Sequence, residues 1–105
     1  MTHVITTLNP ATGARLADYD SWGPERIEQA VAQGHAAALQ WGQQPLDVRV
    51  AAVRRLAQVL REQKTALATL MTQEMGKPLP EAAGEMEKSA VTALYYADHA
   101  ARLLG

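Results

Sequence analysis

Apolar residues recur at two different periods along this chain, and the change of period separates a β segment from a helical one. Residues 3–8 are rich in β-branched types, and residues 15–20 alternate polar with apolar side chains. Between them, Pro10 fixes φ and Gly13 permits a positive φ, which is typical of a turn. The pattern predicts a β-hairpin over residues 3–20, with its loop near residues 9–14.

Helical spacing begins after this hairpin. The first predicted helix covers residues 24–41, with Gly23 as its N-cap, a proline at its first position and Gly42 as its stop. A second helical pattern covers residues 47–75, and we expect Asp47 to cap it.

Within that second pattern, residues 62–64 indicate a kink or a break into two helices. Gly76 is a natural left-handed C-cap, and Pro78 prevents continuation. The last predicted helix covers residues 80–104. Its stripe contains mostly small residues, which allow close approach to a neighbour: Leu79, Ala83, Met86, Ala90, Ala93, Ala97, Ala101 and Leu104. The expected fold class is therefore mainly α with an N-terminal β-hairpin, in a single partial domain over residues 1–105.

The composition predicts a thin core. Hydrophobic residues make up 48% of the chain, but twenty of the 105 residues are alanines, none is phenylalanine, and two Trp and three Tyr are the only aromatics. Alanine favours helix but buries little apolar surface. We therefore expect helices that need a partner surface.

Charge and cysteine content exclude several function classes. The net charge is -1, and Arg54-Arg55 is the only basic doublet, so neither a nucleic acid nor a membrane surface is expected as a partner. The absence of cysteine excludes disulfides, Cys-ligated zinc and thiol catalysis for this chain alone. With no secretory signal and no apolar stretch long enough to span a membrane, a cytoplasmic location is expected.

Candidate catalytic residues are few. His3, His35 and His99 lack metal-ligand spacing, so ordinary surface histidines are favoured over a zinc site. Glu81 and Glu85 share a helical face with Glu87 nearby, but they suit the positive end of a helix better than paired acid/base work.

Two further motifs have simple structural interpretations. Gly76-Lys77 has the last glycine and lysine of a phosphate-binding loop but lacks its other residues, so a helix C-cap is favoured. For Tyr95-Tyr96 we expect one ring in the core and one exposed hydroxyl. No catalytic, cofactor-binding or metal residue is assigned.

Several strings, taken together and in order over residues 4–104, resemble the N-terminal segment of the NAD(P)-dependent aldehyde dehydrogenase family. The stretch from Glu74 to Ala100 most resembles the succinate-semialdehyde dehydrogenase branch. The strings are Asn9-Pro10-Ala11-Thr12-Gly13, an alanine-rich helix ending in Trp41, the helix from Arg49 to Leu60, Glu74-Met75-Gly76-Lys77-Pro78-Leu79, Glu81-Ala82, Gly84 to Ala90, and Tyr95 to Ala100.

The resemblance implies a parent enzyme in which a cysteine thiolate attacks an aldehyde, hydride passes to NAD or NADP, and a glutamate-activated water releases the acid. None of those family residues maps onto this chain. The resemblance implies a partial piece of the family's α/β fold, whose last helix approaches the aldehyde entry tunnel around Lys88. This chain alone is therefore expected to bind no cofactor.

Two hypotheses follow. The chain is a truncated part of such a dehydrogenase, inactive alone, whose partner is the remainder of the enzyme or a full-length homologue. Alternatively, it is a non-catalytic helical interaction or oligomerisation module.

Overall fold

A computed structural model describes residues 3–105 as a hairpin followed by four helices. The prediction of a mainly α fold with an N-terminal β-hairpin is confirmed. The elements in chain order are β1 (Val4–Leu8), β2 (Arg15–Asp20), α1 (Pro24–Gly42), α2 (Leu46–Glu62), α3 (Lys64–Met75) and α4 (Leu79–Leu104).

The hairpin pairs β1 and β2 antiparallel, with Val4 opposite Asp20. Its loop closes on Asn9, whose amide N–H donates to the Ala14 carbonyl at 2.8 Å. The Asn9 side-chain oxygen also accepts a hydrogen bond from the Ala11 N–H at 2.9 Å. Gly13 supplies the positive φ of 74° that this loop requires. The loop therefore lies where the turn residues place it.

The helix starts differ in small respects from the sequence-based expectation, and α4 begins at Leu79 instead of residue 80. Gly23 is the N-cap of α1, as predicted, and α1 includes Gly42 before it ends. For α2 the prediction of an Asp47 cap was wrong, because the helix begins at Leu46 and its N-cap is Pro45. Asp47 lies inside the first turn instead, where its carboxylate accepts a hydrogen bond from the Val48 N–H at 3.0 Å. Its negative charge still lies in the first turn, at the positive end of the helix.

The second helical stretch is broken into two helices at Gln63. This residue ends α2 and begins α3, with φ of -103° and ψ of 13°, outside helical geometry. At the far end of α3, Gly76 adopts φ of 74° and closes the helix through its N–H to the Thr72 carbonyl. This is a left-handed C-cap. Two turns of the chain therefore set the directions of α2, α3 and α4.

The buried centre consists of alanines. α2, α3 and α4 pack together, and no large side chain in the described part of the chain is fully buried. The predicted stripe of α4 is only partly correct, since Leu79 and Leu104 at its ends are exposed. On α2 and α3 the buried residues are small ones that the apolar spacing did not single out. The fully buried residues are Ala57, Ala68, Ala82, Ala90 and Ala97.

The molecule is flat and open for its length. Its radius of gyration is 17.9 Å, against about 13 Å for a compact domain of this length. Its accessible surface is 7966 Å2, against about 5,800 Å2 for a compact monomer of its mass. The excess of about 2,200 Å2 means that the helices present apolar faces that a compact domain of this size covers.

Candidate functional site

The packing of α2 against α4 organises the surface of the molecule. The two helices run antiparallel, since Arg54 is paired with Asp98 and Arg61 with Glu87. Between them the small side chains of Ala57 and Ala90 allow the helices to approach closely. This contact, the α2–α4 seam, has two edges of different chemistry.

One edge, the charged edge, is made of ion pairs across the seam. It consists of Arg54, Asp98, Arg61, Lys64 and Glu87. Arg54 lies 2.6 Å from the Asp98 carboxylate. Arg61 and Lys64 hold the two oxygens of Glu87 at 2.8 and 3.3 Å. Because Arg61 lies in the last turn of α2 and Lys64 begins α3, the one carboxylate of Glu87 joins both helices to α4 across the break.

The Glu87 carboxyl titrates below its usual range as a result. Side-chain hydrogen bonds, first from Arg61 and then from Lys64, lower the pKa of Glu87 from its ordinary 4.5. A carboxyl with a lowered folded-state pKa stabilises the fold above its unfolded pKa, and that stabilisation disappears as pH falls through the folded-state value.

We therefore expect a Glu87→Gln variant to lose less stability than the wild type when pH is lowered from neutral to below 4.5. The effect should be small, because the pair is exposed and screened by salt. Urea unfolding at both pH values, with Glu28→Gln on α1 as the control, measures it. The same acid loss in wild type and Glu87→Gln would contradict the assignment.

The other edge of the seam, the apolar groove, contains almost no charge. Helical periodicity places Ala93 and Tyr96 about half a turn from Glu87 and Asp98 on α4. Two open clefts lie along this edge, of about 180 and 450 Å3, and they share Val53 and Tyr96. The groove is lined by Val53, Leu56 and Leu60 on α2, by Ala93 and Tyr96 on α4, and at its far end by Trp41, Leu46, Val50, Ala100 and Leu104.

Polar residues border the groove without occupying it. Lys88, Ser89 and Thr92 lie along α4 at one end. The hydroxyl groups of Ser89 and Thr92 donate to carbonyls of their own helix at 2.9 Å. At the other end, the Arg49 Nε donates to the Gln44 carbonyl at 3.2 Å. Ser89, Thr92 and Arg49 therefore each donate a hydrogen bond within the chain.

Helix α1 presents a second apolar face. It buries none of its residues, and Val31 in the middle of the helix is 68% exposed. Its last turn nevertheless joins the apolar groove through Trp41, which lines one of the clefts. The two apolar surfaces are thus continuous.

The histidines and acidic residues singled out in the sequence do not form a common site. Within residues 3–105, no group of three His, Asp or Glu side chains is arranged to hold a metal ion. His3 and His35 are exposed. Glu85 pairs with Lys77, and Glu81 lies in the first turn of α4 as expected. Glu81 therefore lies at the positive end of α4, and Glu85 forms an ion pair at the surface.

The expectation for the tyrosine pair was wrong. Both Tyr95 and Tyr96 are about half exposed, and neither ring is in the core. Tyr95 stacks on His99, with ring centres 4.3 Å apart, and the His99 Nδ1 lies 2.7 Å from the Tyr95 carbonyl oxygen. Tyr96 faces the apolar groove. The two rings meet edge to face, with centres 5.3 Å apart. Adjacent residues on a helix point about 100° apart, so their other neighbours differ.

The apolar groove was not predicted from the sequence. Its signal was present, since Ala93, Tyr96 and Ala100 follow one another at steps of three and four along α4. That row was obscured by the parallel row of alanines that the helix buries. Among helices in the described residues, none has the length and hydropathy needed to cross a membrane.

The sequence matches a family model named "Aldehyde dehydrogenase family" over residues 2–105. The chain belongs to the aldehyde dehydrogenase family. The predicted resemblance is confirmed, including its link to the succinate-semialdehyde branch.

Individual relatives of this aldehyde dehydrogenase chain agree with the family match. It is 35% identical over 103 residues to the Escherichia coli (strain K12) succinate semialdehyde dehydrogenase [NAD(P)+] Sad, covering 98% of this chain and 22% of that protein. It is also 35% identical to the mitochondrial succinate-semialdehyde dehydrogenase of Oryza sativa subsp. japonica, covering 96% of this chain and 19% of that protein. The chain thus spans about a fifth of the length of the curated relatives it matches.

Solved structures of aldehyde dehydrogenases also match nearly all of this chain over about a fifth of their own length. The Streptococcus pyogenes succinic semialdehyde dehydrogenase in complex with NADP+ superposes with a TM-score of 0.88 at 31% identity, covering 95% of this chain and 22% of that one. An NADP-dependent glyceraldehyde-3-phosphate dehydrogenase from Bacillus halodurans C-125, complexed with NADP, superposes with a TM-score of 0.92 at 29% identity, covering 96% and 21%. The fold is therefore a partial piece of the aldehyde dehydrogenase fold, and these relatives bind a nicotinamide cofactor.

Proposed function

We propose that this chain supplies the N-terminal hairpin and helices of an NAD(P)-dependent aldehyde dehydrogenase and has no dehydrogenase activity by itself. The observation that carries the proposal is the combination of a family match over nearly the whole chain with coverage of about a fifth of each relative. The excess accessible surface supports it, because helices built to pack inside a larger fold expose their apolar faces when that fold is absent.

The reaction of the whole enzyme is the oxidation of an aldehyde to a carboxylate. In the family chemistry that the resemblance implies, a cysteine thiolate attacks the carbonyl carbon and hydride leaves to the nicotinamide. This chain has no cysteine. Its own residues form the α2–α4 seam and the hairpin, and their part in the enzyme is to support the fold around that chemistry.

Succinate semialdehyde is our proposal for the aldehyde. Support comes from the relatives named for that substrate in Escherichia coli, Oryza sativa and Streptococcus pyogenes, at 31 to 35% identity. NAD or NADP is proposed as the cofactor of the whole enzyme. A cytoplasmic location stays a prediction.

A cofactor-reduction assay tests the inactivity of the chain alone. Purified chain is mixed with succinate semialdehyde and either NAD or NADP, and the absorbance of the reduced cofactor is followed. We expect no rate above a blank without protein, while the Escherichia coli relative run in parallel gives a full rate. Aldehyde-dependent reduction by the chain would overturn the proposal.

A second candidate function is a self-associating helical module, which the exposed face of α1 and the apolar groove also favour. Sedimentation velocity separates the two. A single dimer species with a cooperative thermal transition would support the module, because a dedicated homodimer buries a defined self-complementary patch. We expect instead a concentration-dependent mixture of species, the result of uncovered apolar surface without a matched partner.

A further inference from the structure

The apolar groove has the properties of a surface that is buried in a larger protein. Its members lie on three helices and form one continuous strip, because the two clefts share Val53 and Tyr96. At its border, Ser89, Thr92 and Arg49 each donate a hydrogen bond to a carbonyl of this chain. An occupant therefore has mainly apolar contacts to make along the groove, with the charged side chains of Arg49 and Lys88 at its two ends.

The charged edge behaves in the opposite way. Its carboxylates, Asp98 and Glu87, are both paired with cations of this chain across the seam. It lies on the far side of α4 from Tyr96, by the periodicity of the helix. The seam therefore has an apolar edge and a charged edge on opposite sides.

The amount of exposed surface distinguishes between possible occupants. The chain exposes about 2,200 Å2 more than a compact protein of its mass. A standard protein–protein interface covers only about 800 Å2 on each partner. A second copy on one face would therefore leave most of the excess uncovered, whereas packing inside a larger fold covers it from several sides.

We propose that the apolar groove is the docking surface for the remaining part of an aldehyde dehydrogenase polypeptide, which inserts aliphatic or aromatic side chains between α2 and α4. This inference rests on the proposed function and names the partner of that chain. The solved relatives extend over about five times the aligned length, at TM-scores of 0.88 and 0.92, so their folds contain the additional polypeptide that such docking requires.

A chimera tests the docking surface. The segment of the Escherichia coli Sad enzyme that aligns with this chain is replaced by the chain, and the chimera is compared with two variants of it. Leu56→Glu places a carboxylate in the groove, and Val91→Glu places one on α4 away from it. The two residues are matched in exposure, at 51% and 52%. Glutamate is compatible with helix at both positions.

We expect Leu56→Glu to lower the yield of soluble, active chimera by about tenfold or more, because an unpaired carboxylate becomes buried on docking. Val91→Glu should leave the yield within about twofold of the unmodified chimera, as surface substitutions usually do. Equal yields of the two variants would overturn the groove as the docking surface while leaving the proposed function intact. An unmodified chimera that never becomes soluble would contradict the proposed function, and the docking assignment with it.

The isolated chain provides a second measurement. An apolar fluorescent dye, 1-anilinonaphthalene-8-sulfonate, should bind the wild type and Val91→Glu alike and bind Leu56→Glu severalfold less. Unchanged dye binding in Leu56→Glu would overturn the groove as an open apolar surface. A stable dimer that only Leu56→Glu dissociates would assign the groove to a second copy and overturn the docking assignment.

Discussion

Replacing Ala90 by leucine is expected to lower the thermal unfolding midpoint of the chain more than any surface change. Ala90 lies on α4 and is completely buried where this helix packs against its neighbours, so its methyl group fills the contact. Adding three carbons to a packed contact typically costs about 1–3 kcal/mol. For a chain of this size, each kcal/mol corresponds to a shift of about 4–8 °C.

Circular dichroism at increasing temperature measures this shift, with Ala101→Leu as the matched control. Ala101 lies on the same helix but is exposed, so the same added carbons meet solvent and the midpoint should move little. If Ala90→Leu melts at the same temperature as Ala101→Leu, α4 does not approach its neighbours through its alanines.

Replacing Gly76 by alanine is the second large expected effect. Gly76 has φ of 74°, and a Cβ added there would lie 3.2 Å from the Pro10 side chain. The left-handed conformation alone costs a residue with a Cβ about 1–2 kcal/mol. The close contact with Pro10 adds to that cost, because the hairpin loop must move away from the end of α3.

Gly34→Ala is the control with the opposite sign. Gly34 lies inside α1, and a Cβ added there meets nothing within 4 Å. Alanine in a helix interior is favoured over glycine by about 0.5–1 kcal/mol. Urea unfolding should therefore show a lower midpoint for Gly76→Ala and an unchanged or higher one for Gly34→Ala. A Gly76→Ala midpoint at or above that of the wild type would contradict the described C-cap.

Local residue chemistry was sufficient to predict the elements themselves. Proline and glycine act on their own backbone, so Gly13, Gly23 and Gly76 could be placed in a turn, an N-cap and a C-cap without knowledge of the fold. The N-cap of α2 was predicted two positions too late, at Asp47, because Pro45 also suits a helix start and the two signals compete.

The packing was harder to predict, because hydrophobic spacing gives most weight to large residues. Leu56 and Leu70 have helical spacing, yet both are about half exposed. The residues at the closest approach are small, such as Ala57 and Ala68. The neighbouring helix determines which row of side chains along a helix is buried. Its position depends on the whole fold and cannot be predicted from the local sequence.

The apolar groove was missed for the same reason, and the charged edge likewise depends on contacts between residues far apart in sequence. Glu87 stands among other acidic residues in the sequence, and its partners Arg61 and Lys64 lie 26 and 23 residues away. The family resemblance provided the function that the residues alone did not, because the strings from Asn9 to Ala100 are specific only in combination. Under the proposed function, the dehydrogenase chemistry is carried by the remainder of the enzyme, and neither the composition nor the packing of this chain points to it.

Activity of the chimera measures the central claim most directly. Three proteins are compared with succinate semialdehyde and NAD or NADP: the intact Escherichia coli relative, the same enzyme lacking its aligned segment, and the chimera carrying this chain in that segment's place. We expect no cofactor reduction from the shortened enzyme and clear reduction from the chimera. A chimera that is soluble and folded but no more active than the shortened enzyme would contradict the claim that this chain supplies the N-terminal part of a working aldehyde dehydrogenase.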